Sequence, residues 1–311
     1  MSVPLFVSER SKPKITTQPL SVGCLIYEQM DQIDFTGPFE VLSRMPDTTI
    51  RIIGKELAPV RDVQGLRLIP DGGIAQAGIF DVLLVPGGFG QQALMHDQEV
   101  LALIREHARK EKLLFSVCTG ALLCGAAGVL VARQVTTHWS ARHLIPHYGA
   151  DLVDARVAVD GNIISAAGVT AGLDAALVLV SLLRGDAAAQ EIQLAIEYAP
   201  DPVFQSGTPD TASAAVLDSF RRKYKPIGAA REAEALRHAA SSFAPGCCCW
   251  SITSRPSTSL RPLSIAWSEA RPGSMKVHAP PSRARLMNWS SALRRVAICG
   301  EISMDPTCFE P

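Results

Sequence analysis

Four short apolar runs constrain this chain more than any other feature: SVGCLIY at 21–27, TTIRIIGK at 48–55, FDVLLVPGG at 80–88 and LLFSVC at 113–118. A helical pattern, TGPFEVLSRM, separates the first two, and Val100, Leu101, Ile104 and Ala108 keep helical spacing before the fourth. The runs show little polar alternation, so both faces of each strand must be covered, which is the signature of a parallel sheet between helical layers. The spacing therefore predicts an α/β fold.

Beyond Cys118 the pattern continues with a small-residue helix over 120–130, a short strand QVTTHW, and a hairpin in ARVAVDGNIISAAG turning at Asp160 and Gly161. Helices are expected over 170–183 and in DAAAQEIQLAIEYA, and a last amphipathic segment over 214–224. This places a catalytic domain at 20–228, after an N-terminal extension at 1–19. From Ala239 onward the chain is rich in Ser, Pro and Arg and has no sustained apolar period, so 229–311 reads as a disordered or aberrant extension that buries little of the core. Its CCCW motif lacks the CxxC spacing of zinc sites, and no metal is expected.

The 311 residues carry 30 basic and 30 acidic side chains, which argues against a broad electrostatic attraction to nucleic acid or an anionic membrane. A small-molecule partner is expected. No apolar run has the length of a signal-peptide core or a membrane span, so the reading is cytoplasmic, and Cys24, Cys118 and Cys124 are expected to be reduced.

In open α/β sheets ligands bind beyond the carboxyl ends of the strands. Three such ends carry unusual chemistry: DFTGP with Asp34, PGGFG at 86–90, and the turn at Cys118. A thiol beside a helix N-terminus is favoured as the nucleophilic thiolate. Paired glycines let backbone N–H groups approach a ligand closely, as an anion-stabilising pocket requires.

The set VPGGFG, SVCTGALLCGAAG, TTHW and AGVTAGLDAAL, in this order, resembles the DJ-1/PfpI superfamily. With DFTGP and IQLAIEYAPDPVFQSGTPDTA it is similar to the isonitrile (isocyanide) hydratase branch, over about residues 20–225. The resemblance implies a flavodoxin-like sandwich, a homodimer, no organic cofactor and no metal. It makes Cys118 the nucleophile, Asp34 its acidic partner and Thr119 a supporting residue. Gly87 and Gly88 correspond to the backbone-donor turn, and Val169 and Thr170 to the loop beside the pocket.

Each assignment has a plainer rival. A cysteine in an apolar run is usually a small buried hydrophobe, the reading kept for Cys24 and Cys124, whereas the strand-to-helix turn argues for reactivity at Cys118. Asp34 could simply cap a helix beginning near Thr36 or Gly37. His138 reads as structural or pocket-lining, Asp31 as a solvated loop charge, and Glu197 with Tyr198 as closing the fold or a dimer contact. The competing functions are a DJ-1-like redox or stress protein, a glyoxalase-type enzyme, and the ligand-sensing domain of a transcriptional regulator; the last is disfavoured because no recognition-helix pattern follows residue 229.

Overall fold

The computed structural model describes residues 5–11 and 15–242. Among the described residues twelve strands occur in chain order: β1 (Leu5–Val7), β2 (Leu20–Leu25), β3 (Thr48–Gly54), β4 (Val60–Arg61), β5 (Arg67–Leu68), β6 (Gly72–Gly73), β7 (Val82–Val85), β8 (Leu113–Val117), β9 (Gln134–Val135), β10 (Asp151–Leu152), β11 (Val157–Asp160) and β12 (Ile163–Ala166). Eight of them form one sheet in the order β1-β11-β12-β8-β7-β2-β3-β6. Every neighbouring pair in it is parallel except β11–β12, the hairpin expected at Asp160 and Gly161. The four residues of β7 and the last four of β8 are buried, as continuous apolar runs require.

The helices are α1 (Gln32–Leu42), α2 (Gln91–Leu94), α3 (Gln98–Arg109), α4 (Gly120–Ala126), α5 (Ala171–Arg184), α6 (Asp186–Ala195) and α7 (Ala214–Ser242), with a 3-10 segment over Trp139–Tyr148. α1 and α6 each pack against α5; α3 and the 3-10 segment each pack against α4, and α7 against the 3-10 segment. The architecture is a flavodoxin-like α/β sandwich with a mostly parallel central sheet. Among the described residues no helix is long and apolar enough to cross a membrane.

Three expectations are corrected. Residues 5–7, placed in an extension, form the edge strand β1; Ser8 donates from its hydroxyl to Asp160 Oδ1 at 2.6 Å and from its N–H to Val159 O at 2.9 Å. A three-residue strand is too short to show a period and exists because β11 offers it a ladder. The boundary expected at 228 falls inside α7, whose Arg231, Glu234 and Ala235 are buried. Residues 243–311 of the expected extension lie outside the described residues. Finally, α1 starts earlier than expected: its cap is Asp31, which accepts from Ile33 N–H at 3.1 Å, so Asp34 sits in the first turn and is not the cap. Asp31→Ala should accordingly lower the free energy of unfolding by about 1 kcal/mol, as loss of a helix cap does, measurable by urea denaturation.

Candidate active site

The site forms where the ends of β2, β7 and β8 meet the first turn of α1. Cys118 follows β8 directly and has φ +55°, a left-handed conformation uncommon for a residue with a Cβ. Its N–H donates to Ala166 O at 3.1 Å and its carbonyl accepts from the Thr137 hydroxyl at 2.7 Å, so the strained turn is fixed from two sides. The chain then enters α4 at Thr119. This sharp strand-to-helix turn raises the side chain above the sheet edge, the geometry of a nucleophile elbow.

Asp34 is fully buried and faces the thiol. Its Oδ2 accepts from Gly87 N–H at 2.8 Å, while Oδ1 has no hydrogen-bond partner among the described residues. Burial, reinforced by the charge of Asp31, pushes the Asp34 carboxyl up to about 8, against the pull of Gly87 N–H, Cys118 and Arg231. Burial and the Asp34 charge likewise push the Cys118 thiol well above its ordinary range, opposed by Thr119 N–H and Arg231. The helix N-terminus therefore does not by itself make Cys118 a thiolate. Both groups are thus held toward their protonated forms, the carboxyl up to about 8 and the thiol above its ordinary range, and as neighbours they titrate as a coupled pair.

The glycine turn acts differently from expectation. Its N–H groups are not free to stabilise a ligand anion: Gly87 holds Asp34, and Gly88 donates to Thr119 Oγ1 at 3.2 Å. The glycines are still required. A Cβ on Gly87 would lie 2.6 Å from Thr119 Oγ1, and Gly88, at φ +128°, would bring one within 2.4 Å of Asp31 N.

Val169 lines the same cavity as Cys118. Thr170 does not: it is exposed at the start of α5, where it accepts from Arg156, which also pairs with Asp174. His138 lines the cavity with its Nδ1 held by the Ser140 hydroxyl at 2.8 Å, and burial pushes it down to about 4, so it is a neutral wall. Asp31, expected to be a solvated charge, is half-buried and also lines the cavity. Tyr198 donates to Asp174 at 3.1 Å, a contact within the fold. Cys24 and Cys124 are fully buried; burial pushes Cys124 up to about 12 and Cys24 higher still, so both are inert core thiols.

Sequence reasoning missed the contribution of α7. Phe220, Tyr224, Ile227 and Arg231 all line the cavity, which has a volume of about 540 Å³. Phe220 stacks on Trp139 at 4.8 Å and on Tyr224 at 4.4 Å, and Tyr224 meets Phe89 at 5.8 Å. The 4/3/4 spacing of these residues places them on one face of a helix, a signal in the sequence that runs across the boundary expected at 228 to Arg231. Among the described residues no cluster of three His, Cys, Asp or Glu side chains is arranged to hold a metal ion.

The profile of the DJ-1/PfpI family matches residues 21–182, which span β2 through most of α5. The chain belongs to the DJ-1/PfpI family. It is 44% identical over 207 residues to an isonitrile hydratase of Pseudomonas putida, covering 67% of this chain and 91% of that protein. It is also 26% identical over 160 residues to the glutathione-independent glyoxalase DJR-1.2 of Caenorhabditis elegans, covering 51% of this chain and 85% of that one. Among solved structures it resembles a ThiJ/PfpI family protein from Pseudomonas syringae, with a TM-score of 0.68 and 35% identity over 72% of this chain and 93% of that one. The DJ-1/PfpI match ends before α7, so Phe220, Tyr224 and Arg231 belong to a segment outside the family profile, while Phe89 and Trp139 lie within it.

Proposed function

We propose that the chain hydrates isonitriles, R–N≡C, to N-substituted formamides. The observation that carries this reading is the buried Asp34 carboxyl set against the Cys118 thiol, which lines a cavity with the aromatic faces of Phe89, Trp139, Phe220 and Tyr224. The 44% identity to the Pseudomonas putida enzyme supports it. In the one-proton state of the pair, Cys118 sulfur adds to the terminal carbon of R–N≡C while Asp34 delivers its proton to that carbon, giving the thioimidate R–N=CH–S–Cys118 and an Asp34 carboxylate. The carboxylate takes a proton from water as the water oxygen adds to the same carbon, and passes that proton to the nitrogen. It then accepts the hydroxyl proton as the C=O forms and the C–S bond breaks. The product is R–NH–CHO, and the pair returns with one proton.

A neutral, apolar substrate fits the cavity: Phe89, Trp139, Phe220 and Tyr224 offer aromatic faces to R, and neutral His138 adds no charge. The decisive assay incubates the full chain with cyclohexyl and aryl isonitriles and quantifies formamide, with methylglyoxal as a parallel substrate. Lactate formation without formamide would replace this reading with a glyoxalase. The homodimer is part of the same proposal, and light scattering on the full chain tests it.

A pH dependence follows. Because the pair reaches its one-proton state only as Asp34 ionises at about 8, kcat/KM should rise with pH through that value. A rate already maximal at pH 6 and flat to pH 9 would refute the shared-proton account.

A further inference from the structure

We propose that Arg231 of α7 is a positioning residue that supplies the buried positive charge facing Cys118 and Asp34 and fixes the Thr119 hydroxyl beside them. The proposal rests on Cys118 and Asp34 being the reacting pair, and it adds to that pair a residue from outside the segment that matches the family profile.

Arg231 is 7% exposed. Its Nη2 donates to Gly88 O at 2.7 Å and to Thr119 Oγ1 at 3.2 Å, and its Nε donates to Gln91 Oε1 at 3.2 Å. All three acceptors are neutral, and among the described residues no carboxylate oxygen lies within ion-pair distance of the guanidinium. A guanidinium stays protonated even when buried, so its positive field bears on the ionisable groups around it and favours their charged forms. Three such groups act on it: Cys118, Tyr27 and Asp34. Tyr27 is kept neutral, since its hydroxyl donates to Pro86 O at 2.7 Å and burial pushes its ionisation far up. The remaining candidates are the thiol and carboxyl of the reacting pair.

The same contacts set Thr119. Its Oγ1 accepts from both Gly88 N–H and Arg231 and is 3.4 Å from Gly88 O, so the hydroxyl proton has one direction to point. α7 is itself anchored there: buried Glu234, one turn on, pairs with His96 at 2.9 Å and with Arg237. The other charged or titratable groups around the pair are Asp31 at the start of α1, His138 before the 3-10 segment, His143 within it, and Arg221, Tyr224 and Lys225 of α7. Of the three cations of α7 that line the cavity, Arg231 alone is buried.

The test uses the full chain and reads the pH dependence of Cys118 alkylation by iodoacetamide, followed by peptide mapping, together with thermal unfolding. Arg231→Met should move the alkylation midpoint upward by about one pH unit or more, the usual effect of removing a nearby opposite charge. Arg231→Lys should restore much of the shift. Gln91→Glu keeps the guanidinium but gives it a fixed carboxylate partner, and should move the midpoint in the same direction as Arg231→Met. A folded Arg231→Met with the wild-type midpoint overturns the proposal, even if its Tm is lowered. Should that variant fail to fold, a wild-type midpoint in Gln91→Glu overturns it equally. Alkylation needs no isonitrile, so a wild-type chain that makes no formamide would count against the hydratase reading and leave this measurement intact.

Discussion

Cys118→Ser is expected to abolish formamide production, by at least about four orders of magnitude, while the protein stays folded. Serine is nearly isosteric, and the turn that holds residue 118 is built from the backbone contacts to Ala166 and Thr137, which the substitution keeps. What changes is the nucleophile. A hydroxyl in this buried position ionises far less readily than a thiol, and in the proposed mechanism Asp34 shares one proton rather than activating an alcohol. Cys124→Ala, on the α4 helix that follows Cys118 but fully buried away from the cavity, should retain most activity and serves as the control. Formamide quantified by chromatography, alongside circular dichroism, checks both variants. A serine variant turning over at a near-normal rate would remove covalent catalysis from the mechanism.

Asp34→Asn should lower hydration by roughly two or more orders of magnitude, because it keeps the shape but loses the proton donor and acceptor. Cys118 should still react with iodoacetamide. The stability signature runs the other way. The Asp34 carboxyl is raised from 3.8 to about 8 in the fold, so its contribution to stability is fully present below about 4 and is lost as pH rises toward 8. Asparagine has no such loss. The Tm of Asp34→Asn relative to wild type should therefore increase between pH 5 and pH 8, which differential scanning calorimetry can follow. A pH-independent difference in Tm, together with near-normal turnover, would return Asp34 to a purely structural role.

Much of the candidate site was legible because its chemistry lies at strand ends that the apolar runs announce. The runs ending at Tyr27, Gly88 and Cys118 place Asp34, the glycine turn and the thiol at one edge of a parallel sheet, and the structure brings them together. The roles within that edge were less legible. Asp31 and Asp34 are both plausible caps in EQMDQIDFTGP, and only the actual start of α1 assigns the cap to Asp31 and frees Asp34 for the site. The glycine N–H groups look available in sequence, but the fold directs them at Asp34 and Thr119. Thr170, one residue beyond a cavity-lining valine, points away because α5 begins there and turns its side chain toward Arg156.

By itself the sequence determined the α/β class, the parallel sheet, the β11–β12 hairpin and the placement of Cys118 at a strand-to-helix turn, because these follow from local apolar periodicity and turn chemistry. Tertiary structure decided the rest. It added β1, a three-residue edge strand that exists only by pairing with β11. It carried α7 past residue 228 and across the cavity, where Phe220, Tyr224 and Arg231 meet residues more than eighty positions earlier in the chain. It also set the direction in which the Cys118 thiol and Asp34 carboxyl shift. A helix N-terminus favours a thiolate, but burial of the thiol beside a second acid outweighs it, and burial is a property of the packed molecule rather than of any local stretch of sequence.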